Sequence, residues 1–167
     1  MWFYAFAAGA FVLDQAAKVA ARGALQLDRP ITVIPGFFDL RLSYNSGAAF
    51  GTLPDWAPLF VIVAAVAVFA IFRLGRAGGG GSPGLAVGLG LLLGGALGNL
   101  ADRLASPRRE VTDFLSFHVS LGGQTHTWPT FNLADAAIVI GAFWVFLHVY
   151  VIGKRRGDTA VEIDNSR

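Results

Sequence analysis

The chain has 167 residues, 54 % of them hydrophobic and only 14 % charged, where a soluble domain carries about 25 % charged residues. That deficit argues against an ordinary water-facing surface, and a net charge of +2 with no dense basic stripe gives no ground for a nucleic-acid partner. The absence of cysteine removes disulfides, thiol nucleophiles and Cys-ligated zinc.

A hydrocarbon core about 30 Å thick takes roughly 20 helical residues to cross. Four segments reach that length, at about 2–22, 57–74, 84–104 and 132–153. The first has no basic leading region. Asp14 and Lys18 interrupt it before any small-residue cleavage site, so it reads as a retained membrane helix and not a removed signal peptide. In the loop that follows (23–56), Ile31 to Ile34 and Phe37 to Tyr44 flank the turn pair Pro35 and Gly36. Phe38, Leu40, Leu42 and Tyr44 alternate with Asp39, Arg41 and Ser43, the period of a strand. The second helix ends in a glycine-rich turn before Pro83. The third carries Gly90, Gly94 and Gly98 at four-residue intervals, a small-residue packing face, and closes on Asn99, Asp102 and Arg103. In the loop 105–131, Val111 to Leu121 followed by Gly122 and Gly123 predicts another strand and turn. Asn132 and Asp135 open the fourth helix, and a polar tail covers 154–167.

The predicted fold class is therefore a membrane all-α four-helix transmembrane bundle with a small extracytoplasmic β-sheet and loop cap. It forms a single domain over 1–153. Lys154, Arg155 and Arg156, with Arg73 and Arg76, place both termini in the cytoplasm by the positive-inside rule, although Arg29, Arg41, Arg108 and Arg109 then lie outside. In that orientation Asp14, Lys18, Asn99, Asp102, Arg103, Asn132 and Asp135 all fall toward the outer ends of their helices. A charge at mid-span costs about 2.5–3.5 kcal/mol on insertion scales, so convergence at one end predicts a shared site. Snorkelling to the interface suits Lys and Arg but not short Asp and Asn. Asp14 and Lys18, four residues apart, predict a structural ion pair.

The inventory narrows the chemistry. His118, His126 and His148 have no zinc-motif spacing, so no metal is expected. Gly80, Ser82 and Gly84 match a nucleophile elbow literally, but lie in a glycine-rich turn at the opposite end from the polar groups. Carboxylates remain. Two aspartates close together share a proton, and the pair can both activate water and polarise a carbonyl. Asp113, Asp135 and Asp102 are the candidates, with Asp102 read as structuring the site; Asp113 alone would pass for a solvated loop residue.

Five motifs in order then carry a resemblance. They are Asp14-Gln15 with Lys18, Asn45-Ser46-Gly47-Ala48-Ala49-Phe50, Gly98-Asn99 with Asp102-Arg103, Val111-Thr112-Asp113-Phe114, and Phe131-Asn132 with Asp135. In these the chain resembles the lipoprotein signal peptidases (signal peptidase II) from end to end except for its tail. The resemblance implies an aspartic endopeptidase without a cofactor, with Asp113 and Asp135 as catalytic dyad. Asp14, Lys18, Asn45, Gly47, Asn99, Asp102, Arg103 and Asn132 would bind substrate or shape the site. It implies a diacylglyceryl-modified prolipoprotein as substrate, cut just before its lipidated cysteine, and a monomer in contact with lipid in the bacterial inner membrane, N-in and C-in. A small transporter or channel subunit is the alternative, since intramembrane Asp, Asn and Arg also line ion paths. A non-catalytic assembly subunit using the glycine face is another.

Overall fold

The computed structural model describes residues 1–47, 57–78 and 82–152. The expectations placed on residues 48–50, on the glycine turn at 79–81 and on the tail with Lys154, Arg155 and Arg156 fall outside them. Four helices run as α1 (Trp2–Ala24), α2 (Ala57–Gly78), α3 (Pro83–Ala105) and α4 (Leu133–Phe146), the last continued by a π-helical stretch, Leu147–Ile152. Four strands, β1 (Ile31–Ile34), β2 (Phe38–Asn45), β3 (Val111–Leu121) and β4 (Gln124–Thr127), form one antiparallel sheet in sequence order.

Among the described residues, three helical segments are long and apolar enough to cross a membrane: Pro58–Ala77, Pro83–Ala105 and Leu133–Tyr150. With 23 residues, α1 is about 35 Å long, but Asp14, Gln15 and Lys18 make it less apolar than the others.

α3 is the central helix, packed along α1 on one side and α4 on the other. Glycine makes both approaches possible. A Cβ at Gly90 would lie 2.6 Å from the Phe3 carbonyl oxygen of α1, and one at Gly98 2.5 Å from Asp14 Oδ2. The expected face of Gly90, Gly94 and Gly98 is thus the α1 contact. A second face went unread in the sequence. Gly88 and Gly95, two turns apart, meet α4, where a Cβ on Gly95 would fall 2.5 Å from the Ala134 carbonyl and one on Gly141 2.8 Å from that of Gly88. α2 is attached differently. Val68, Ile71 and Phe72 in its second half join the core of Phe3, Ala7, Ala86, Leu89 and Leu93, while Leu59, Ile62, Val63 and Val66 stay exposed.

The two outer loops form a single sheet because β2 pairs with β3. Gly36 (φ 75°) and the pair Gly122 and Gly123 (φ 59° and 80°) make the turns in the left-handed region that glycine favours. The expected alternation along β2 shows only at exposed Arg41 and buried Leu42; Phe38, Asp39 and Leu40 are all half-buried, and Tyr44 is exposed. A β-bulge between Leu40 and Ser43 puts two residues, Arg41 and Leu42, opposite the single Phe114 of β3 and resets the register, so that Ser43 faces Asp113 and Asn45 faces Val111. On the other side of β3, the Trp128 amide donates to the Phe117 carbonyl, and Leu115 and Phe131 exchange hydrogen bonds. The chain therefore travels back along β3 and enters α4 beside Asp113. Ala21 of α1 and Leu25 just after it fix the sheet to the bundle through Leu42 and Phe114.

A continuous fourth helix was expected; its last turns are π-helical instead. The wider turn carries an extra residue and accompanies a hydrogen bond between His148 Nε2 and Ser82 Oγ. Trp144 Nε1 donates to the Gly84 carbonyl at 2.9 Å. Ser82, the elbow-like serine of the sequence, is the N-cap residue of α3.

Candidate active site

α4 begins with a problem common to all helices: its first amides have no partner within the helix. Two different residues solve it. Asn132 is the N-cap, and its Oδ1 accepts the Asp135 amide at 2.9 Å while Asp135 Oδ2 accepts the Asn132 amide at 3.2 Å, a reciprocal capping box. Asp14, reaching across from α1, accepts the Ala134 amide at 2.8 Å. The capping box fixes the Asp135 carboxylate at the mouth of the helix.

The same Asn132 side chain reaches Asp113. Its Nδ2 donates to Asp113 Oδ1 at 2.6 Å and lies 3.2 Å from Asn99 Oδ1 and 3.3 Å from the Thr112 carbonyl. Asn45, brought opposite β3 by the bulge, donates to Asp113 Oδ2 at 3.1 Å, and its own Oδ1 accepts the Gly47 amide. Gly47 has φ 82°, and a Cβ there would press on the Phe60 ring at 3.1 Å. Asn99 Nδ2 donates to Asp135 Oδ1 at 2.7 Å. Asp113 and Asp135 are thus joined through two asparagine side chains, Asn132 and Asn99.

Beneath them Lys18, wholly buried, lies 2.9 Å from Asp14, 3.2 Å from Asp102 and 3.0 Å from Asn99 Oδ1. The structural pair expected for Asp14 and Lys18 is one edge of this larger cluster. Asp102 Oδ2 also accepts the Thr112 amide at 2.9 Å, which ties the start of β3 to the end of α3. Arg103 turns its guanidinium toward the Asn99 carbonyl at 3.4 Å and leaves its buried Nε without a partner among the described residues.

Asp113 is 1 % exposed. Burial pushes its carboxyl up to about 6, and the neighbouring negative charge of Asp135 adds to this; hydrogen bonds from Asn45 and Asn132 and the charge of Lys18 act against it. A buried carboxyl of this kind is protonated over much of the mildly acidic range, and beside a second carboxylate such a group has the chemistry to act as a general acid or base.

Comparisons with known proteins give the family. A family model described as "Signal peptidase (SPase) II" matches residues 6–151. The chain is 45 % identical to a lipoprotein signal peptidase of Oleidesulfovibrio alaskensis, over 88 % of this chain and 93 % of that one. It is 40 % identical to that of Symbiobacterium thermophilum, over 87 % and 92 %. Two solved structures titled as bacterial membrane enzymes superpose with a TM-score of 0.72, at 26 % and 25 % identity, over 88 % and 89 % of this chain and 86 % and 92 % of theirs. The chain belongs to the signal peptidase II family. It is a bacterial-type membrane peptidase, and these likenesses give no support to a transporter, channel or assembly subunit.

In this chain Asp14, Lys18, Asn45, Gly47, Asn99, Asp102, Arg103, Asp113, Asn132 and Asp135 lie together, whereas Ser82 and His148 meet elsewhere, at the start of α3. Gln15, quoted with the first motif but given no role, joins the cluster, as do Arg22 and Thr112, to which the sequence reading gave none. Gln15 Nε2 lies 3.1 Å from Asp14 Oδ2 and 3.1 Å from the Gly98 carbonyl. Arg22 Nη1 donates to Thr112 Oγ1 at 2.9 Å and stands 3.7 Å from Asp102. With Asp102 on its amide, Asn132 on its carbonyl and Arg22 on its hydroxyl, Thr112 is pinned at all three polar groups, one residue before Asp113. The available signal was the helical spacing of Lys18 and Arg22, four residues apart on one face.

Proposed function

We propose that this protein removes the signal peptide from diacylglyceryl-modified prolipoproteins, cutting just before the lipidated cysteine, with Asp113 and Asp135 as an aspartic dyad. The observation that carries the assignment is the Asn132 side chain, which donates to Asp113 and caps Asp135 at once. It holds the two carboxyl groups in a fixed relation.

In the proposed reaction one water lies between them. Asp135 takes a proton from that water as it attacks the scissile carbonyl. Asp113, the carboxyl that burial makes the easier of the pair to protonate, donates in its protonated form to the carbonyl oxygen. Collapse of the tetrahedral intermediate returns a proton to the leaving amine, so no acyl-enzyme, metal or cofactor is required. Asn45, Asn99 and Asn132 orient the carboxyls, and Asp14, Lys18, Asp102 and Gly47 hold the elements that carry them. Arg103, with its unpartnered Nε, contacts the substrate backbone.

The same reading takes α1 as a fourth span, its polar residues buried against α3 and α4 and thus hidden from lipid. It makes 1–153 one monomeric membrane domain, N-in and C-in, with the sheet and dyad at the extracytoplasmic face of the inner membrane and no nucleic-acid partner.

The test is to express Asp113→Asn and Asp135→Asn separately and follow cleavage of a lipidated precursor. Each should lose roughly a hundred- to ten-thousandfold in turnover while inserting and eluting from detergent as the parent does. Near-parental turnover in either one removes that residue from the dyad.

A further inference from the structure

β3 joins the dyad to a second feature. Residues an even number apart share a face of a strand, so Phe117 lies on the Asp113 side of β3, about 13 Å further along. The bulge does not disturb this, since it lies in β2. Around Phe117 is a cavity of about 510 Å³, lined by Phe37, Phe117, Val119, His126, Trp128 and Phe131. Its floor is fixed: the Phe117 ring stacks on Phe38 at 4.7 Å and on Phe131 at 5.8 Å, and meets Phe37 edge-on at 5.3 Å. Its rim is open, with Trp128 69 % exposed and Val119 43 %. Aromatic surface of this kind, outside the helical spans and on the Asp113 face of β3, is unused by the dyad itself.

We propose that this cavity is a specificity subsite that takes an apolar or aromatic side chain of the substrate about four residues after the scissile bond. The inference rests on the dyad reading, because the distance is measured from Asp113. An extended peptide along β3 advances at the same pitch as the strand, so its fourth residue comes level with Phe117. The segment beyond the cysteine is the one that meets the sheet, since the signal peptide is apolar and belongs among the helices. An acyl chain on the cysteine would have to leave the apolar spans to reach the cavity.

The experiment uses the full chain in detergent with synthetic lipidated precursor peptides that differ only at the fourth residue after the cut: Phe, Ala or Asp. Burying one aromatic side chain predicts a kcat/KM for the Phe peptide about tenfold above that for Ala, carried in KM, with Asp lower still. Trp128→Ala should bring the Phe-to-Ala ratio close to one, whereas a merely structural role would lower both peptides alike. An unchanged ratio in the variant overturns the subsite. So does equal cleavage of the three peptides by the parent, or a Trp128→Ala effect that tracks acyl-chain length instead of the fourth residue. Failure of the dyad reading is read separately, as retained cleavage by Asp113→Asn, whatever the peptide preference.

Discussion

Asp113 links the chemistry to folding stability. Its carboxyl stands at about 6 in the fold against 3.8 in an exposed state, so between those values the folded chain binds more protons than the unfolded one. Stability from this group is therefore present at low pH and is lost as pH rises through 6. The difference corresponds to about 3 kcal/mol. Thermal unfolding in detergent should show the parent losing stability relative to Asp113→Asn from pH 4 to pH 7; parallel curves across that range would contradict the buried, proton-holding carboxyl. Lys18 makes the opposite case. It lies between two buried aspartates, and Lys18→Met leaves Asp14 without a cation and Asp102 with only Arg22 at 3.7 Å, at a cost of about 3–5 kcal/mol. Denaturation midpoints in a mild detergent measure that loss, and a shift worth under about 1 kcal/mol would mean that the cluster is solvated. The aspartates, asparagines and Lys18 were legible in the sequence because buried polar residues at a helix end are costly and stand out. Arg22 and Thr112 were not, since an arginine at a helix end and a threonine in a strand look ordinary until they are seen to meet.

Helix contacts divide the same way. The Gly90, Gly94 and Gly98 face was readable from its four-residue period. Gly88 and Gly95 were not, because a seven-residue spacing between two glycines in a glycine-rich helix has no distinguishing mark. The structure separates positions where glycine is required from those where it is only tolerated. A Cβ at Gly95 would meet the Ala134 carbonyl, whereas one at Gly9 meets nothing within 4 Å. Gly95→Ala should lower the folded fraction recovered by size-exclusion chromatography. Gly9→Ala should raise stability by about 0.5–1 kcal/mol, by removing a flexible residue from a helix interior. Equal behaviour of the two variants would mean that α3 and α4 are not in close contact. The β2 strand was legible as a strand, but its bulge was not, and the bulge is what aligns Asn45 with Asp113.

At the scale of the whole molecule, the polar residues of α1, α3 and α4 gather with the sheet at one end of the bundle, and the Ser82–His148 contact marks the other. The proposed topology puts the first end outside the cytoplasm and the second within it. With no cysteine in the chain, single-cysteine variants report this directly. Gln124→Cys, in the exposed turn end of β4, should react with a membrane-impermeant maleimide added to intact spheroplasts. Arg76→Cys, exposed near the end of α2, should react only after the membrane is opened. The reverse pattern would place the dyad on the cytoplasmic side.

Taken alone, the sequence determined the four helices in outline, three of the four strands, the turns and the identity of the polar residues, because each follows from local patterning: apolar length, a period of two, glycine and proline punctuation, and charges where charges are expensive. Tertiary structure decided which of these meet. The pairing of β2 with β3, the helix-capping asparagine that also donates to Asp113, and the threonine held from three sides bring together residues 10 to 90 positions apart in the chain. No local period records a contact over such distances; only packing α3 against both neighbours and closing the sheet over them brings the groups within hydrogen-bond reach.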